Sequence, residues 1–283
     1  MSVLDSATHK VLATIPVGNQ PLGVAIAPSG GTVYVTNEYS DTVSVIDTFT
    51  NTVTNTIAVG VGPSGIAITP DGAFVYVTNQ LSNSVAVIDV RQQLVVDMIA
   101  VGGQPAGVAF TPDGAWAYVT NQFSDSVSVI ATASRTVTTT IPVGSLPQQV
   151  ATTPNGAFAY VANALSNTVS VIAVATNEVV KTIPVGIRPE GIAITPDGAS
   201  AYVTNETGNT ISAIDVSTNQ VIATIPSVGL PLGVAISPTG EFAYVTNSYS
   251  NSVTVIDIAE NRIAVVVLGV GNTPVGIAVG IIK

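Results

Sequence analysis

Four polar residues could bind a small molecule: Gln148, Gln149, Arg188 and Glu190. They lie in two consecutive copies of a repeated segment: Gln149 stands where the six other copies carry glycine, and Arg188 and Glu190 are opposite charges in a chain with seven basic residues. An arginine fork beside amide groups suits a carboxylate or sugar hydroxyls. The alternative is that the four side chains form a salt bridge and fill the centre of the fold. The sequence leaves both interpretations open.

Groups that commonly carry catalysis are scarce in this chain. It has no cysteine and one histidine, His9, which excludes a thiol nucleophile and a histidine-rich metal site. Glu190 is the only carboxylate in its set of variable positions, whereas acid–base chemistry usually needs several groups held together. We therefore expect no catalytic residues, no metal and no cofactor.

The charge balance excludes two classes of partner. The 283 residues carry seven Lys and Arg against seventeen Asp and Glu, a formal net charge of −10. Binding to nucleic acid or to anionic lipid heads requires clustered basic side chains. The apolar tail, residues 265–283, is interrupted by Asn272, Thr273 and Pro274, so it predicts strands and a turn and not a membrane span. We expect no nucleic-acid partner and no membrane insertion.

Internal repeats organise the whole chain. One tyrosine recurs at intervals of 42 residues: Tyr34, Tyr76, Tyr118, Tyr160, Tyr202 and Tyr244. Each is followed by Val, then Thr or Ala, then Asn. A proline ladder has the same interval until its last step, from Pro231 to Pro274, which is one residue longer. A period of this length indicates stacked structural units.

Each repeat predicts four short strands, which we call A, B, C and D. In residues 21–60 four apolar or alternating segments, rich in Val, Ile, Thr and Tyr, are separated by turn residues at about ten-residue spacing. Four-stranded antiparallel units repeated in this way are typical of β-propeller blades. The prediction is an all-β, seven-bladed β-propeller that forms a single domain over residues 1–283.

Closure of the ring follows from the two ends of the chain. Residues 1–5 align with strand C of the next repeat, and residues 276–279 align with strand A. We therefore expect N-terminal strands C and D and a C-terminal strand A to form a closing blade from residues 1–20 and 274–283. That blade would lack strand B, so either it has three strands or the chain is trimmed.

Most repeated residues predict structure and not chemistry. The motif Asn ends strand B, where asparagine tolerates a left-handed conformation, and a following Ser82-Asn83 or Ser124-Asp125 completes the turn. Aspartates that end strand C are expected to accept backbone hydrogen bonds in the C–D loop. Four aromatic residues share one register before the Tyr-Val pair and are expected to pack between blades: Phe74, Trp116, Phe158 and Phe242.

A second set of residues is large and apolar within polar turns. These residues lie two positions after the motif Asn: Tyr39, Leu81, Phe123, Leu165 and Tyr249. If they are exposed, they surround the same end of the propeller as the D–A loops and could contact a partner. If they fold under the loops, they join neighbouring blades. The sequence does not distinguish these alternatives.

The repeat resembles the YVTN β-propeller family. The resemblance rests on residues 76–79 (Tyr-Val-Thr-Asn), on Ser82-Asn83, on residues 87–89 (Val-Ile-Asp) and on the Pro-x-Gly-Val/Ile-Ala strand, and it covers nearly the whole chain. It implies a mostly seven-bladed, extracellular protein of the kind found in archaeal surface layers and in secreted bacterial proteins. Lactonases resemble the fold, but their site residues do not map onto this sequence.

Two hypotheses of function follow. The first is a non-catalytic extracellular or cell-surface scaffold that binds a protein or glycan through the face bearing the D–A and B–C loops. The second is a small-molecule hydrolase of the lactone type, with its site at the channel mouth. The scarcity of catalytic groups favours the first. No basic segment followed by an apolar one opens the chain, so we expect no signal peptide within it.

Overall fold

The computed structural model describes residues 1–281. These residues form six four-stranded antiparallel sheets and one two-stranded sheet, arranged as a β-propeller. Two single 3₁₀ turns, Glu38–Ser40 and Gln122–Ser124, lie in loops. Neither of these turns, nor any other helical segment among the described residues, has the length and apolar character needed to cross a membrane.

The strands follow the 42-residue repeat. The two-stranded sheet contains β1 (Ser2–Asp5) and β2 (Lys10–Thr14). Blade 1 contains β3 (Pro21–Ile26), β4 (Thr32–Asn37), β5 (Thr42–Asp47) and β6 (Thr52–Ala58). Blade 2 contains β7 (Pro63–Ile68), β8 (Phe74–Asn79), β9 (Ser84–Asp89) and β10 (Leu94–Ala100). Blade 3 contains β11 (Pro105–Phe110), β12 (Trp116–Asn121), β13 (Ser126–Ala131) and β14 (Thr136–Pro142).

The remaining blades repeat this order. Blade 4 contains β15 (Pro147–Thr152), β16 (Phe158–Asn163), β17 (Thr168–Ala173) and β18 (Glu178–Pro184). Blade 5 contains β19 (Pro189–Ile194), β20 (Ser200–Asn205), β21 (Thr210–Asp215) and β22 (Gln220–Pro226). Blade 6 contains β23 (Pro231–Ile236), β24 (Phe242–Asn247), β25 (Ser252–Asp257) and β26 (Arg262–Leu268).

The core lies between adjacent blades. Strands B and C are buried on both faces in every complete blade, whereas the outer D strands are largely exposed. Tyr76 of blade 2 packs against Val108, Phe110 and Val119 of blade 3, and its ring meets that of Phe110 edge to face at 4.9 Å. The same cluster recurs around the ring because each blade presents the same residues to the next. Packing between blades therefore explains why B and C vary so little.

The motif Asn has a different role from the predicted one. Asn37 is extended, with φ −119°, and not left-handed. It is fully buried, and its Nδ2 donates to Ser44 Oγ at 3.0 Å. The left-handed residue is the fourth after it, Asp41, with φ 53°, and Asn83 and Asp125 occupy the same place in the next two blades. The prediction that Ser-Asn and Ser-Asp complete this turn is confirmed.

The aromatic residues before the Tyr-Val pair pack at blade interfaces, as predicted. Phe74 is half-buried and packs against the cluster shared by blades 2 and 3. The Arg135 guanidinium of blade 3 lies over its ring, 4.6 Å from the centroid. Trp116 and Phe158 occupy the same place at the next two interfaces. These rings are therefore structural.

The predicted closing blade is only partly formed. β1 and β2 pair as strands C and D, but residues 272–281 have no strand hydrogen bonding, so the expected strand over residues 276–279 is wrong as a strand. This segment still lies in the place of strand A, because Thr246 Oγ1 of blade 6 donates to Val275 O at 2.6 Å. In the complete blades strand A pairs only with strand B. The described residues of the closing blade include no strand B, so residues 272–281 have no pairing partner and an irregular backbone. Residues 282 and 283 of the predicted closing blade lie outside the described residues.

Candidate functional site

The B–C and D–A loops lie on one end of the propeller, which we call the top face. The backbone of each B–C loop bonds the D–A loop that precedes its blade: Tyr39 N donates to Asn19 O at 3.3 Å, and Phe123 N donates to Gly103 O at 3.1 Å. Both candidate sets of residues therefore face the same side, as the strand order predicts.

Left-handed Asx residues connect neighbouring blades across this face. The Asp41 carboxylate accepts a hydrogen bond from Gly62 N of the next D–A loop, and the side-chain Oδ1 of Asn167 accepts one from Arg188 N at 2.8 Å. Aspartate and asparagine tolerate positive φ, and their short side chains carry an acceptor oxygen. One residue can therefore form the turn and also bond the backbone of the next D–A loop. The loops that carry the candidate site are therefore fixed on a rigid ring.

The central channel opens on the top face as a cavity of about 220 Å³. Its lining includes the residue after the conserved proline in all seven copies: Leu22, Ser64, Ala106, Gln148, Glu190, Leu232 and Val275. The prediction that this position overlooks the axial channel is confirmed. Most of these residues are small or apolar, so the polar side chains of blades 4 and 5 occupy one side of the cavity.

Glycine beside this position lets the A strands approach closely. A Cβ at Gly65 would lie 2.0 Å from Ala106 O, and one at Gly191 would lie 2.3 Å from Leu232 O. Blade 4 has Gln149 in place of this glycine, and its side chain is exposed and lines the cavity. Its Oε1 lies toward blade 3, 2.9 Å from a Cβ built on Gly107. Gln149 therefore points away from blade 5.

A three-residue charge cluster forms in blade 5. Arg188 Nε lies 3.0 Å from Glu190 Oε1 and 2.6 Å from Glu206 Oε2. The arginine side chain is 47% exposed, against 16% and 22% for the two glutamates. Because two carboxylates already balance one guanidinium, Arg188 is not a free anion receptor. Neutral hydroxyl groups suit this cluster better than a carboxylate does.

Burial sets the protonation of Glu190. Loss of solvent raises the pKa of Glu190 to about 7; Arg188 opposes this shift and the charge of Glu206 adds to it. The cluster therefore carries a net charge that changes near neutral pH. A carboxyl group poised in this way can donate or accept a proton under physiological conditions.

A second polar pair lies on the blade 3 side. Gln122 Nε2 donates to Gln148 Oε1 at 2.5 Å, and Thr120 Oγ1 donates to the Gln148 carbonyl. The sequence-based set thus divides: Gln148 and Gln149 face blade 3, whereas Arg188 and Glu190 form an ion cluster in blade 5. Gln148, Gln149 and Glu190 line one cavity, and Arg188 lies beyond its lining on the rim.

Two residues of the site were missed by sequence reasoning. Gln122 and Glu206 both follow the motif Asn directly, a position that is polar in five of the six copies and alanine only at Ala164. The recurring polarity of this position is the sequence signal that could have identified both residues.

Blade 4 also has Ala162 where the other blades have the motif Thr, so in this blade both the threonine and the neighbouring glycine are replaced. In the other blades that threonine bonds the glycine nitrogen, as Thr204 bonds Gly191 at 2.8 Å.

The large residues of the B–C loops are exposed. The side chains in question are Tyr39 (74%), Leu81 (70%), Phe123 (77%), Leu165 (66%) and Tyr249 (81%). Together with the exposed D–A residues Val61 and Ile187, they lie in the loops of the top face. We call this set of seven residues the apolar ring. Of the two alternatives left by the sequence, folding under the loops is therefore wrong.

Groups able to hold a metal do not converge on this face. Among residues 1–281, no three His, Asp or Glu side chains are grouped as a metal site would require. His9 lies at the closing sheet, with its ring 5.9 Å from Phe242 and edge to face. Asp47 accepts hydrogen bonds from Phe49 N and Thr50 N in its C–D loop, which lowers its pKa. Asp47, at the end of strand C, thus accepts backbone hydrogen bonds from the C–D loop, as predicted.

The sequence matches a family model described as lactonase, 7-bladed beta-propeller, over residues 21–140 and 131–269. The fold is similar to that of hydrazine synthase from Kuenenia stuttgartiensis, with 24% identity over 94% of this chain and 91% of the other, and a TM-score of 0.86. It is also similar to a functionally unknown protein from Desulfotomaculum acetoxidans, with 19% identity over 97% and 93% of the two chains, and a TM-score of 0.87. No curated protein matches the sequence. At these identities the solved structures support the fold alone.

Proposed function

The chain belongs to the lactonase family of seven-bladed β-propellers, and we propose that it uses this fold as a non-catalytic binding module for a protein or glycan. The apolar ring carries the proposal. Surface apolar side chains are common singly, but a set concentrated on one face marks a contact surface. Here the exposed side chains recur at two positions of the repeat, in the B–C and D–A loops of the top face.

The two parts of the top face complement each other. Tyr39, Phe123 and Tyr249 present flat aromatic surfaces that can stack on sugar rings or bury against a protein. The channel mouth supplies amides and Glu190 at the centre, with Arg188 beside Glu190 at the edge of the cavity, and these groups can bond hydroxyl groups. A ligand would thus be anchored at the rim by apolar contact and oriented at the centre by polar groups.

The proposal also covers where the protein is found and how the ring is closed. The resemblance to YVTN repeats supports an extracellular or cell-surface protein. β1, β2 and residues 274–280 together form the seventh blade, which agrees with the family description and with their place between blades 6 and 1. In this arrangement, the top face carries an almost complete circle of loops.

The first test compares two faces of the same protein. We expect the triple variant Tyr39→Ser, Phe123→Ser, Tyr249→Ser to bind at least about tenfold more weakly to ligands found on a glycan array or in a displayed peptide library, since each aromatic contact contributes about 1 kcal/mol. Phe49 is 89% exposed in a C–D loop on the opposite face, so Phe49→Ser is the matched control. Equal loss in both variants, or unchanged binding by the triple variant, would contradict the proposal.

Hydrolysis of a lactone is a second candidate, favoured by the raised pKa of Glu190 and by the family description. Ionised Glu190 would take a proton from water, the resulting hydroxide would add to the ester carbonyl, and the ring C–O bond would break as the alkoxide regains that proton.

The test of this candidate is a pH–rate profile with a panel of lactones. We expect hydrolysis to rise as the pH passes about 7, because Glu190 ionises there, and to fall at least about 100-fold in Glu190→Gln. Glu260, which is half-exposed beside Arg262 in a C–D loop, provides the matched control Glu260→Gln. Absence of hydrolysis in the wild-type protein, or equal rates in all three proteins, rejects this candidate.

A further inference from the structure

The cavity at the channel mouth is lined differently on its two sides. The position after the conserved proline is Leu232 in blade 6, Val275 in residues 274–280 and Leu22 in blade 1, which are consecutive places around the channel. The same position is Gln148 in blade 4 and Glu190 in blade 5. In the circular order of these positions, blades 4 and 5 lie across the channel from blade 1. An aliphatic wall therefore faces a wall of amide and carboxyl groups.

On the basis of the binding function proposed above, we propose that this cavity takes one neutral sugar ring, the terminal monosaccharide of a glycan. A pyranose ring has faces of C–H groups and hydroxyl groups around its edge. It therefore matches a cavity with one aliphatic wall and one polar wall. Four observations support this ligand class: the size of the cavity, its donors and acceptors, its charge, and the structural cost of placing Gln149.

The cavity has the size of a small ligand. Sites for drug-sized molecules usually have volumes of roughly 300–1,000 Å³, whereas this cavity has a volume of about 220 Å³. A peptide segment or an oligosaccharide is too large for it, but a terminal ring is not. The exposed side chains of the apolar ring lie in the loops of the same face, where they can contact the rest of the glycan.

The polar wall offers both donors and acceptors. Gln122 Nε2 donates to Gln148 Oε1 at 2.5 Å, which orients the Gln148 amide and leaves its Nε2 as a donor. Gln149, whose side chain is exposed and lines the cavity, adds a second amide. Glu190 also lines the cavity and adds carboxyl oxygens. Since a hydroxyl group both donates and accepts, neighbouring sugar hydroxyls suit two amides beside a carboxyl group.

Charge disfavours an acidic sugar at this wall. Arg188 Nε lies 3.0 Å from Glu190 Oε1 and 2.6 Å from Glu206 Oε2, so two carboxyl groups share one guanidinium. Burial raises the pKa of Glu190 to about 7, and above that pH the cluster carries a net negative charge. The carboxylate of a uronic acid would meet like charge there, whereas a neutral hexose would not.

Placing Gln149 at the cavity has a structural cost. In the other five complete blades the motif threonine donates to a carbonyl of the following copy, as Thr204 Oγ1 donates to Leu232 O at 2.6 Å. A Cβ on Gly191 would lie 3.0 Å from that hydroxyl oxygen. Ala162 in blade 4 removes this crowding beside Gln149, but it also removes the hydrogen bond between blades. Departures of this kind from a regular packing pattern are expected at functional positions.

The direct test is binding of single sugar rings to the full chain at pH 8. The probes are the methyl glycosides of glucose, galactose and mannose, followed by saturation-transfer NMR and calorimetry. We expect at least one of them to bind with a millimolar Kd, because a single small ring buries few atoms. The corresponding methyl uronide should bind at least about tenfold more weakly.

Failure of this test is distinguishable from failure of the proposed function. If none of the three hexosides binds, the sugar assignment is overturned. A peptide or glycan whose binding is weakened in the triple variant of the apolar ring would still support the binding function in that case. Equal binding of the hexoside and its uronide would also overturn the assignment of a neutral ligand.

A double variant that restores the repeat locates the sugar. Gln149→Gly with Ala162→Thr gives blade 4 the glycine and threonine of the other blades. We expect hexoside binding to weaken at least about fivefold, because one amide is lost. Tm should rise by about 2–4 °C, because a hydrogen bond between blades is regained. Phe49→Ser, on the opposite face, is the control for binding.

Two results with these variants would contradict the site. One is unchanged hexoside binding in a folded double variant. The other is hexoside binding that persists in the double variant but is lost in the triple variant of the apolar ring, which would place the sugar on the outer loops.

The charge contact has its own test, which does not depend on the double variant folding. In Glu190→Gln the cluster keeps one guanidinium and one carboxylate, so the uronide no longer meets a net negative charge. We expect the preference for the hexoside over the uronide to fall from at least about tenfold to less than about threefold. An unchanged preference would show that the sugar does not lie beside Glu190 and would overturn the proposal.

Discussion

At the scale of single residues, the chemistry of the channel mouth is set by a small number of charged side chains. Arg188 is one of seven basic residues in the chain, and it is held by Glu190 and Glu206 together. Glu190 is the more buried of the two glutamates, and burial raises its pKa to about 7. A carboxyl group that stays protonated in the fold but ionises when the chain unfolds links stability to pH.

The sign of this linkage can be measured. The folded pKa of Glu190 lies above its ordinary value of 4.5, so the folded protein binds the proton more tightly than the unfolded chain does. Its contribution to stability is present below about pH 4.5 and is lost as the pH rises through about 7. We expect the free energy of unfolding to fall by roughly 1–3 kcal/mol between pH 5 and 8 for the wild-type protein relative to Glu190→Gln. Chemical denaturation at several pH values tests this; parallel pH profiles of the two proteins would contradict it.

At the scale of elements, strand B connects each blade to its neighbours. In blade 5 the tyrosine and threonine of strand B bond the following blade, and the asparagine bonds strand C of its own sheet, through Tyr202, Thr204 and Asn205. The two hydroxyl groups and the asparagine Nδ2 are paired, which removes the cost of burying them, whereas Asn205 Oδ1 is buried without a hydrogen-bond partner among the described residues. Blade 4 is the exception, since Ala162 and Gln149 replace the threonine and glycine of this contact. The polar side of the channel mouth is therefore located where the regular connection is absent.

At the scale of the whole molecule, β1 and β2 connect blade 6 to blade 1. Ile15, just after β2, is 2% exposed and packs with Val33, Val35 and Ile46 of blade 1. Leu4 and Val11 pack on the opposite side, against the blade 6 cluster. Closure thus rests on residues 1–18, and their removal would expose both neighbouring clusters.

A point variant tests closure without removing the segment. We expect Ile15→Ala to lower the free energy of unfolding by roughly 2–4 kcal/mol, because it leaves a cavity between the closing sheet and blade 1. Leu12 is 65% exposed in β2, so Leu12→Ala should change the free energy of unfolding by less than about 1 kcal/mol. Equal effects of the two substitutions in denaturant unfolding would show that the closing sheet does not support the ring.

The fold and the repeat were determined by the sequence itself. Tyrosines at intervals of 42 residues, four β-type segments per interval and turn residues between them predict stacked four-stranded blades. The predicted residue beside the channel, after each proline, was confirmed in all seven copies. These features depend on local propensity and on a packing requirement that is the same in every copy, so a single repeat contains nearly all the information.

The candidate site was decided by the tertiary structure. Gln149 and Arg188 are both departures from the repeat, yet the first side chain lies toward blade 3 and the second toward Glu206. Exposure of Tyr39 and its counterparts was equally open in the sequence. The direction and exposure of a side chain depend on contacts between residues far apart in the chain, and the periodicity of the sequence does not encode these contacts. The same holds for residues 274–280, whose backbone lacks strand pairing because strand A can pair only with strand B.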